Sequence, residues 1–510
     1  MATSNQHGDE VEGPPEEEQA MLDPAETAEE IAEDADHPMD SGDDDDDEGI
    51  EAEIELQNDS TAHFDLHKDS IFCIAQHPIH SHIVATGGGD DVGYVFDSTP
   101  PDPPLLPVSY ESDPRPSAQR GSLEALAKLD GHTDSVNAIA FTLPRGEYVL
   151  SAGLDGRLRA YRDSSRGGDG TSWAFVAEMQ EVQEIGWLIA CPHPDHPNTV
   201  ALGASDGSVW VFSVDAEEKG SELRIVQAFY LHTESCTAGA FTPDGKMLAT
   251  VSEDSSLCVW DVFGEASAAG QTGAGGGQTV VALTAQDQRF AVEGGLYSVA
   301  VSPSGSFVAV GGAGGNVKVV GLPRVGAPSS SATTVVKGAG AKGKAGASKK
   351  VVGQTPTLSG TGQVGQLLAS LQAQSDGVES LAFSPPPSTL LAAASVDGSI
   401  AIFDTAHRFA VRRHIREAHE EFAVVKVEFV DESRRGGYVL TSVGLDGVVR
   451  RWDTRGGTAA AGQGLTGEWK GHRGGGDGGG ILGFVQGGGG ERIVTAGDDG
   501  VALVFASPLA

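Results

Sequence analysis

The chain has 510 residues and a net charge of −40, with 73 Asp and Glu against 33 Lys and Arg, 70 glycines, 25 prolines and only 6% aromatic residues. Such a polyanion repels nucleic acid, which argues against direct nucleic-acid binding and makes a basic protein the natural electrostatic complement. No apolar run reaches the roughly 18 to 20 residues of a membrane span, the acidic N-terminus is unlike a basic presequence, and Cys73, Cys191, Cys236 and Cys258 form no CxxC pair, so we expect a soluble, reduced, intracellular protein, in the cytoplasm with the nucleus as a second compartment.

From the N-terminus, residues 1–58 read as a disordered acidic tail. Met1–Ser60 holds 24 Asp and Glu and no Lys or Arg. Ala62–Leu66 (AHFDL) then reads as a lone strand before His67. Beyond it a pattern recurs in which an acid in a tight turn precedes an aromatic residue by six positions: Asp90/Phe96, Asp155/Tyr161, Asp206/Phe212, Asp254/Trp260, Asp397/Phe403, Asp446/Trp452 and Asp499/Phe505. Between Trp260 and Phe403, LYSVAVSPSGSFVAVGGAGGNVKVVG keeps the same strand, turn, strand plan, with Gly314 and Val320 replacing the acid and the aromatic. These are eight units of about four short strands over residues 59–507, an all-β propeller of eight blades. After Phe505 too little chain remains for a fourth strand, so the N-terminal strand is expected to close blade eight and remove the open edges.

Three stretches of low complexity, 98–122, 264–277 and 324–354, read as flexible insertions. The last carries six Lys or Arg and no acid, which suggests folding back on an acidic face. HPIHSH (His77–His82) and CPHPDH (Cys191–His196) look like metal sites, yet each falls in a turn between a blade's first two strands and neither has a second cluster to complete four ligands. No metal, no cofactor and no catalytic constellation is expected.

The stretch GLDGVVRRWD (Gly444–Asp453), taken alone, resembles a catalytic or phosphate-binding loop; its recurrence makes Asp446 architectural instead. With a histidine at an earlier strand end (LDGHTDSV, FYLHTESC, FDLHKDSI, WKGHRGGG), these features resemble the WD-repeat family, whose blades share a GH dipeptide, a turn Asp and a closing WD. The resemblance implies hydrogen-bonded relays of His132, Ser151, Asp155 and Tyr161 in blade two, of His232, Thr250, Asp254 and Trp260 in blade four, and of His419, Ser442, Asp446 and Trp452 in blade seven. His67, Thr86 and Asp90, and His472, Thr495 and Asp499, form shorter sets ending in Phe96 and Phe505. Blades three, five and six lack the histidine. Loss of Asp446 is expected to cost about 1 to 3 kcal/mol. Alternation along the strand should send Arg450 and Arg451 to opposite faces.

The acidic tail, DDDDDEGIEAEIELQ leading into FDLHKDSIFCIAQHP, and GGGDDVGYVF, VESLAF and VGLDGVVRRWD resemble the WD-repeat family of the angio-associated migratory cell protein and its fungal relatives. The fungal members are ribosome-assembly chaperones dedicated to large-subunit ribosomal protein L-ten. That resemblance implies a non-enzymatic, monomeric chaperone for large-subunit assembly that holds the basic N-terminal segment of a ribosomal protein on an acidic propeller face, with pre-60S particles as a further partner. Candidate contacts are acids beside the turn Asp or along a blade's first strand: Glu184, Glu234, Glu253, Asp376, Glu379, Glu420 and Asp498. A histone-binding chaperone would share the acidity, and a general scaffold or ubiquitin-ligase adaptor would share the ring. The segment EEEQAMLDPAETAEEIAEDAD, poor in apolar residues and broken by Pro24, argues against the helix a histone binder should carry.

Overall fold

The computed structural model describes residues 57–101, 121–165, 167–271, 278–325, 363–431, 437–456, 464–474 and 478–507. The acidic tail up to residue 56, residues 272–277 of the insertion at 264–277, and most of the insertions at 98–122 and 324–354 with the proposed fold-back of the last, lie outside the described residues. Among those described, the strands form eight sheets, seven of four strands and one of five. Blade 1 is Ile71–Gln76, Ile83–Gly88, Gly93–Asp97 and Ala125–Leu129, in that spatial order, and the next six blades repeat it. The first strands of neighbouring blades touch in an unbroken cycle from blade 1 through blade 8 and back, so they line the centre of a closed ring.

Closure is as the sequence predicts. Ala62–Phe64 pairs antiparallel with the last strand, Ala62 opposite Val504 and Phe64 opposite Ala502. Gly121–Ser122, at the end of the Pro-rich insertion, adds a short parallel strand outside it, so the loop stops two residues earlier than expected. Glu265–Ala268, inside the second expected insertion, forms one helical turn instead of flexible loop. Its Glu265 accepts from His193 Nε2 at 2.8 Å and pairs with Lys246 Nζ at 2.7 Å.

The packing explains why second strands lack polar alternation. Every residue of Met247–Ser252 (MLATVS) is buried, because the sheet is covered on both faces by its neighbours. The described core divides into eight apolar clusters, one at each seam between blades. Leu150, Leu158, Val200 and Leu202 join blades 2 and 3, and Phe64, Phe96, Val494 and Val504 join blades 8 and 1. Each blade stabilises the next, and none buries its two faces alone.

One irregularity recurs in all eight blades. After the first residue of each first strand the register slips by one, as between Leu296 and Ser298 in blade 5 and between Val378 and Ser380 in blade 6. The skipped residue is a bulge, released from the ladder and aimed away from it. Tyr297 and Glu379 are two of these bulge residues.

Candidate binding face

The antiparallel plan places the loop entering each blade and the turn between its second and third strands at one end of the sheets. The relays fasten these two loops together. In blade 2, His132 Nδ1 lies 3.1 Å from Asp155 and Nε2 lies 2.9 Å from Ser151 Oγ. Asp155 also accepts the N–H of Arg157 in its own turn at 3.0 Å and that of Thr133 in the entry loop at 2.9 Å. The next residue, Gly156, has φ +73°, a left-handed conformation that glycine adopts without strain. The sets of blades 1 and 8 form as expected, His67 bridging Asp90 and Thr86 and His472 bridging Asp499 and Thr495.

Blade 7 holds the full relay. His419 lies 2.8 Å from both Asp446 and Ser442, and Trp452 Nε1 donates to Ser442 at 2.9 Å. Arg450 joins it, ion-paired with Asp446 and 3.0 Å from Glu468. Arg451 points the other way, donating to Gly490 O at 2.9 Å and Ser507 Oγ at 2.5 Å in blade 8. Burial raises the Asp446 pKa most, yet the hydrogen bonds and charges of His419 and Arg450 hold it below its ordinary value.

One relay expectation needs correction. In blade 4, Thr250 accepts from Trp260 and contacts His232, each at 2.8 Å, but His232 Nδ1 is 4.0 Å from Asp254. Ser256 stands between them, 2.6 Å from the imidazole and bonded to the carboxylate, because a hydroxyl two residues after the Asp reaches the gap first. In blade 2 Tyr161 keeps Ser151 as a partner, as expected, and its hydroxyl also donates to Asp130 O at 2.8 Å and accepts from Arg159 at 3.0 Å. In the blades without histidine, Gln374 fills the vacant place in blade 6, donating to Ser399 O at 2.9 Å while Ser399 Oγ reaches Asp397 at 2.6 Å. Val182 and Val292 fill it in blades 3 and 5 with buried apolar side chains.

The fastened loops present carboxylates. Counting two residues past the relay position gives Asp69, Asp134, Glu184, Glu234, Asp376 and Glu421, all exposed. Asp69, Asp134 and Glu421 escape a residue-by-residue choice from sequence; the offset from the relay position is the signal that finds them. Of the expected contacts, Glu184, Glu234 and Asp376 sit in this ring, with exposed Glu420 beside Glu421. Glu184 and Glu379 line one hollow of about 320 Å³ with Tyr297, Leu154, Ser205 and Thr237. Burial raises the Tyr297 pKa first, followed by the charges of Glu253, Glu379 and Asp376. The Glu379 pKa is raised by desolvation in the hollow and then by Asp376. Asp498 differs: half-buried, it accepts from Ser70 Oγ of blade 1 at 2.6 Å and from Gly478 N in the entry loop of its own blade at 2.9 Å, so both oxygens are engaged in holding the fold.

The histidine clusters lie at the opposite end, in turns between first and second strands. His77 Nδ1 accepts the N–H of His80 at 3.0 Å and His193 Nδ1 that of Asp195 at 3.1 Å, so both rings cap their turns. Among the described residues no three His, Cys, Asp or Glu gather as a metal would need.

These features define a closed eight-bladed WD-repeat propeller with one carboxylate-rich face. The model of the WD domain, G-beta repeat, matches residues 123–162, 223–261, 288–320 and 365–404. The chain is 52% identical to Chaetomium thermophilum Sqt1, over 88% of this chain and 98% of that one, with a TM-score of 0.74. It is equally similar, with a TM-score of 0.73, to the same protein solved bound to the N-terminus of ribosomal protein L10, over 88% of this chain and all of that one. It is 31% identical to the ribosome assembly protein SQT1 of Saccharomyces cerevisiae over 43% of this chain, a match spanning 45% of the yeast protein. It is 26% identical to the human angio-associated migratory cell protein over 90% of this chain and 82% of that one. The chain belongs to the WD-repeat family of Sqt1.

Proposed function

We propose that this protein is a dedicated chaperone of a basic large-subunit ribosomal protein of the L10 type, holding its basic N-terminal segment on the carboxylate face before ribosome assembly. The observation that carries the reading is the ring of exposed acids, each in a loop fixed by a relay or its substitute, in a chain 52% identical to an Sqt1 solved with the L10 N-terminus. A basic segment destined for RNA would otherwise meet the wrong polyanion, and a ring of fixed negative charge captures it fast and shields it. The work is binding without turnover, since the recurrent acids are explained by turns and by this face. We place it in the cytoplasm, with the nucleus as a second compartment, acting as a monomer.

The test is a fluorescence-anisotropy titration with a labelled peptide of the L10 N-terminus at low and moderate salt. Binding should weaken as salt rises and fall at least ten-fold when Glu253 and Glu379 are both changed to Lys, on the scale of a lost central charge pair. Unchanged binding by that variant at moderate salt rejects this face.

A further inference from the structure

We infer that Tyr230 and Leu231 form an apolar anchor site at the rim of the carboxylate face, which takes a non-polar side chain of the same basic segment; this rests on the function proposed above. The two residues lie just past the outermost strand of blade 3, Leu223–Phe229, on the loop that enters blade 4. They are 65% and 51% exposed, where large apolar side chains are ordinarily withdrawn from water. Phe175, the other aromatic more than half exposed among the described residues, has the Arg159 guanidinium over its ring at 4.6 Å, and Ile79 lies at the opposite end of the blades.

The site is held in place from below. The Tyr230 ring meets Trp210 edge-on at 5.8 Å, and Trp210 is fixed by its N–H to Ser208 Oγ at 2.8 Å. The next residue, His232, is anchored to Thr250 and Ser256, and Thr233 to Asp254, so the loop cannot fold Tyr230 and Leu231 inward without breaking the blade 4 relay. Three residues beyond Leu231 comes Glu234 of the acidic ring. The chain spans at most about 11 Å over that interval, so an extended cationic peptide lying over Glu234 reaches Leu231 within three or four of its own residues. A site with carboxylates at one end and an aromatic and an aliphatic side chain at the other fits a segment in which cations flank a hydrophobic residue. The charges supply attraction at range, and the anchor supplies a contact that salt does not screen.

The experiment uses the full chain and the labelled L10 N-terminal peptide at two salt concentrations, comparing the unmodified protein with Y230S/L231S and with E184K/E379K. Both pairs are surface changes, and the circular dichroism spectrum and melting temperature of each variant verify folding. Y230S/L231S should weaken binding on the order of ten-fold at both salts with the salt slope unchanged, since no charge is altered. E184K/E379K should weaken binding mainly at low salt and flatten the slope. Loss in the acid variant with Y230S/L231S within two-fold of the unmodified protein overturns the anchor and leaves the chaperone reading standing. Undiminished binding in the acid variant overturns the reading and the anchor with it.

Discussion

The carboxylate of Asp397 accepts the backbone N–H of Ser375 at 2.7 Å, and the next residue along the chain is the exposed Asp376. Asp397 Oδ1 meanwhile holds Ser399 in its own turn, N at 3.0 Å and Oγ at 2.6 Å. One oxygen thus fixes the loop and the other the turn beside it, and the following carboxylate is delivered to the face in a set direction. The same connection leads from Asp155 through Thr133 to Asp134, and from Asp254 through Thr233 to Glu234. The motif that makes the fold recognisable is the device that aims the acids of the proposed binding face.

Asp397→Ala should therefore weaken peptide binding although Asp397 need not touch the peptide. Two hydrogen bonds to backbone N–H groups are lost, about 1 to 3 kcal/mol of stability, and affinity for the L10 peptide should fall several-fold while Asp376 is still present. Restoring both acceptor oxygens with Asp397→Glu should fail, because the longer side chain cannot span the same two donors. Affinity and urea-unfolding curves for the three proteins check this; an Asp397→Ala protein that binds like the original would detach the turn from the face.

Asp446 should be the most damaging turn acid to remove. Asp155→Ala breaks a histidine contact, two backbone bonds and a 3.5 Å ion pair with the more open Arg157, whereas Asp446→Ala takes the close ion pair from the buried Arg450 and leaves that guanidinium with Glu468 and His419. Removing one partner of a buried ion pair costs about 3 to 5 kcal/mol, above the 1 to 3 kcal/mol expected for a relay hydrogen bond. The two variants should separate clearly in chemical denaturation, and equal losses would mean that Arg450 finds solvent at no penalty.

Much of this fold was legible from the sequence because a propeller writes its plan eight times. The turn acids, the histidines and the closing strand each stand in register, and even the degenerate blade around Gly314 was legible through its strand and turn spacing. What escaped are substitutions by different chemistry at the same place. Gln374 replaces the ring of a histidine with an amide N–H, and Ser256 inserts a hydroxyl, so neither shares a residue type with the motif it serves. The bulges escaped for another reason. Skipping one residue in a ladder leaves no mark in hydrophobic alternation, yet it frees Tyr297 and Glu379 for the hollow.

Ring closure gives a sharp truncation boundary. Ala62 and Phe64 are fully buried, Phe64 stacks on Phe96 at 4.3 Å, and Thr61 N donates to Val504 O at 2.7 Å. A protein beginning at Gln57 should keep a cooperative melt, whereas one beginning at Asp65 exposes the last strand as an open edge and should aggregate. Size-exclusion chromatography with thermal melting distinguishes them; a monodisperse, stable protein from the shorter chain would show that the closing strand is dispensable.

The relay histidines should make the protein acid-sensitive well above the carboxylate range. Burial lowers the His232 pKa from 6.5 to about 4, against the raising effect of Asp254. Between those two values the unfolded chain binds a proton there that the folded chain does not, so stability falls as pH drops through that window and is intact above it. At pH 5 this one group accounts for about 2 kcal/mol. His232→Gln, with the side chain that blade 6 uses in the same place, should lose about that much less between pH 7 and pH 5. Parallel urea-derived stabilities for the two proteins over that range would show that the imidazole is not held neutral.

Glu379 should show the opposite sign and tie stability to binding. Its pKa is raised by desolvation in the hollow and by Asp376, so the folded chain holds a proton there more tightly than the unfolded chain. The charged carboxylate therefore opposes folding at neutral pH, and that penalty is relieved as pH falls through the raised value. Glu379→Gln removes the charge at once. It should raise the melting temperature at pH 7, lose that advantage at pH 4 where the original is itself protonated, and weaken capture of the L10 peptide at pH 7. The unmodified protein should likewise bind more weakly as pH approaches the carboxylate range from above. A variant that binds as well as the original and melts no higher would mean that the partner passes the hollow by.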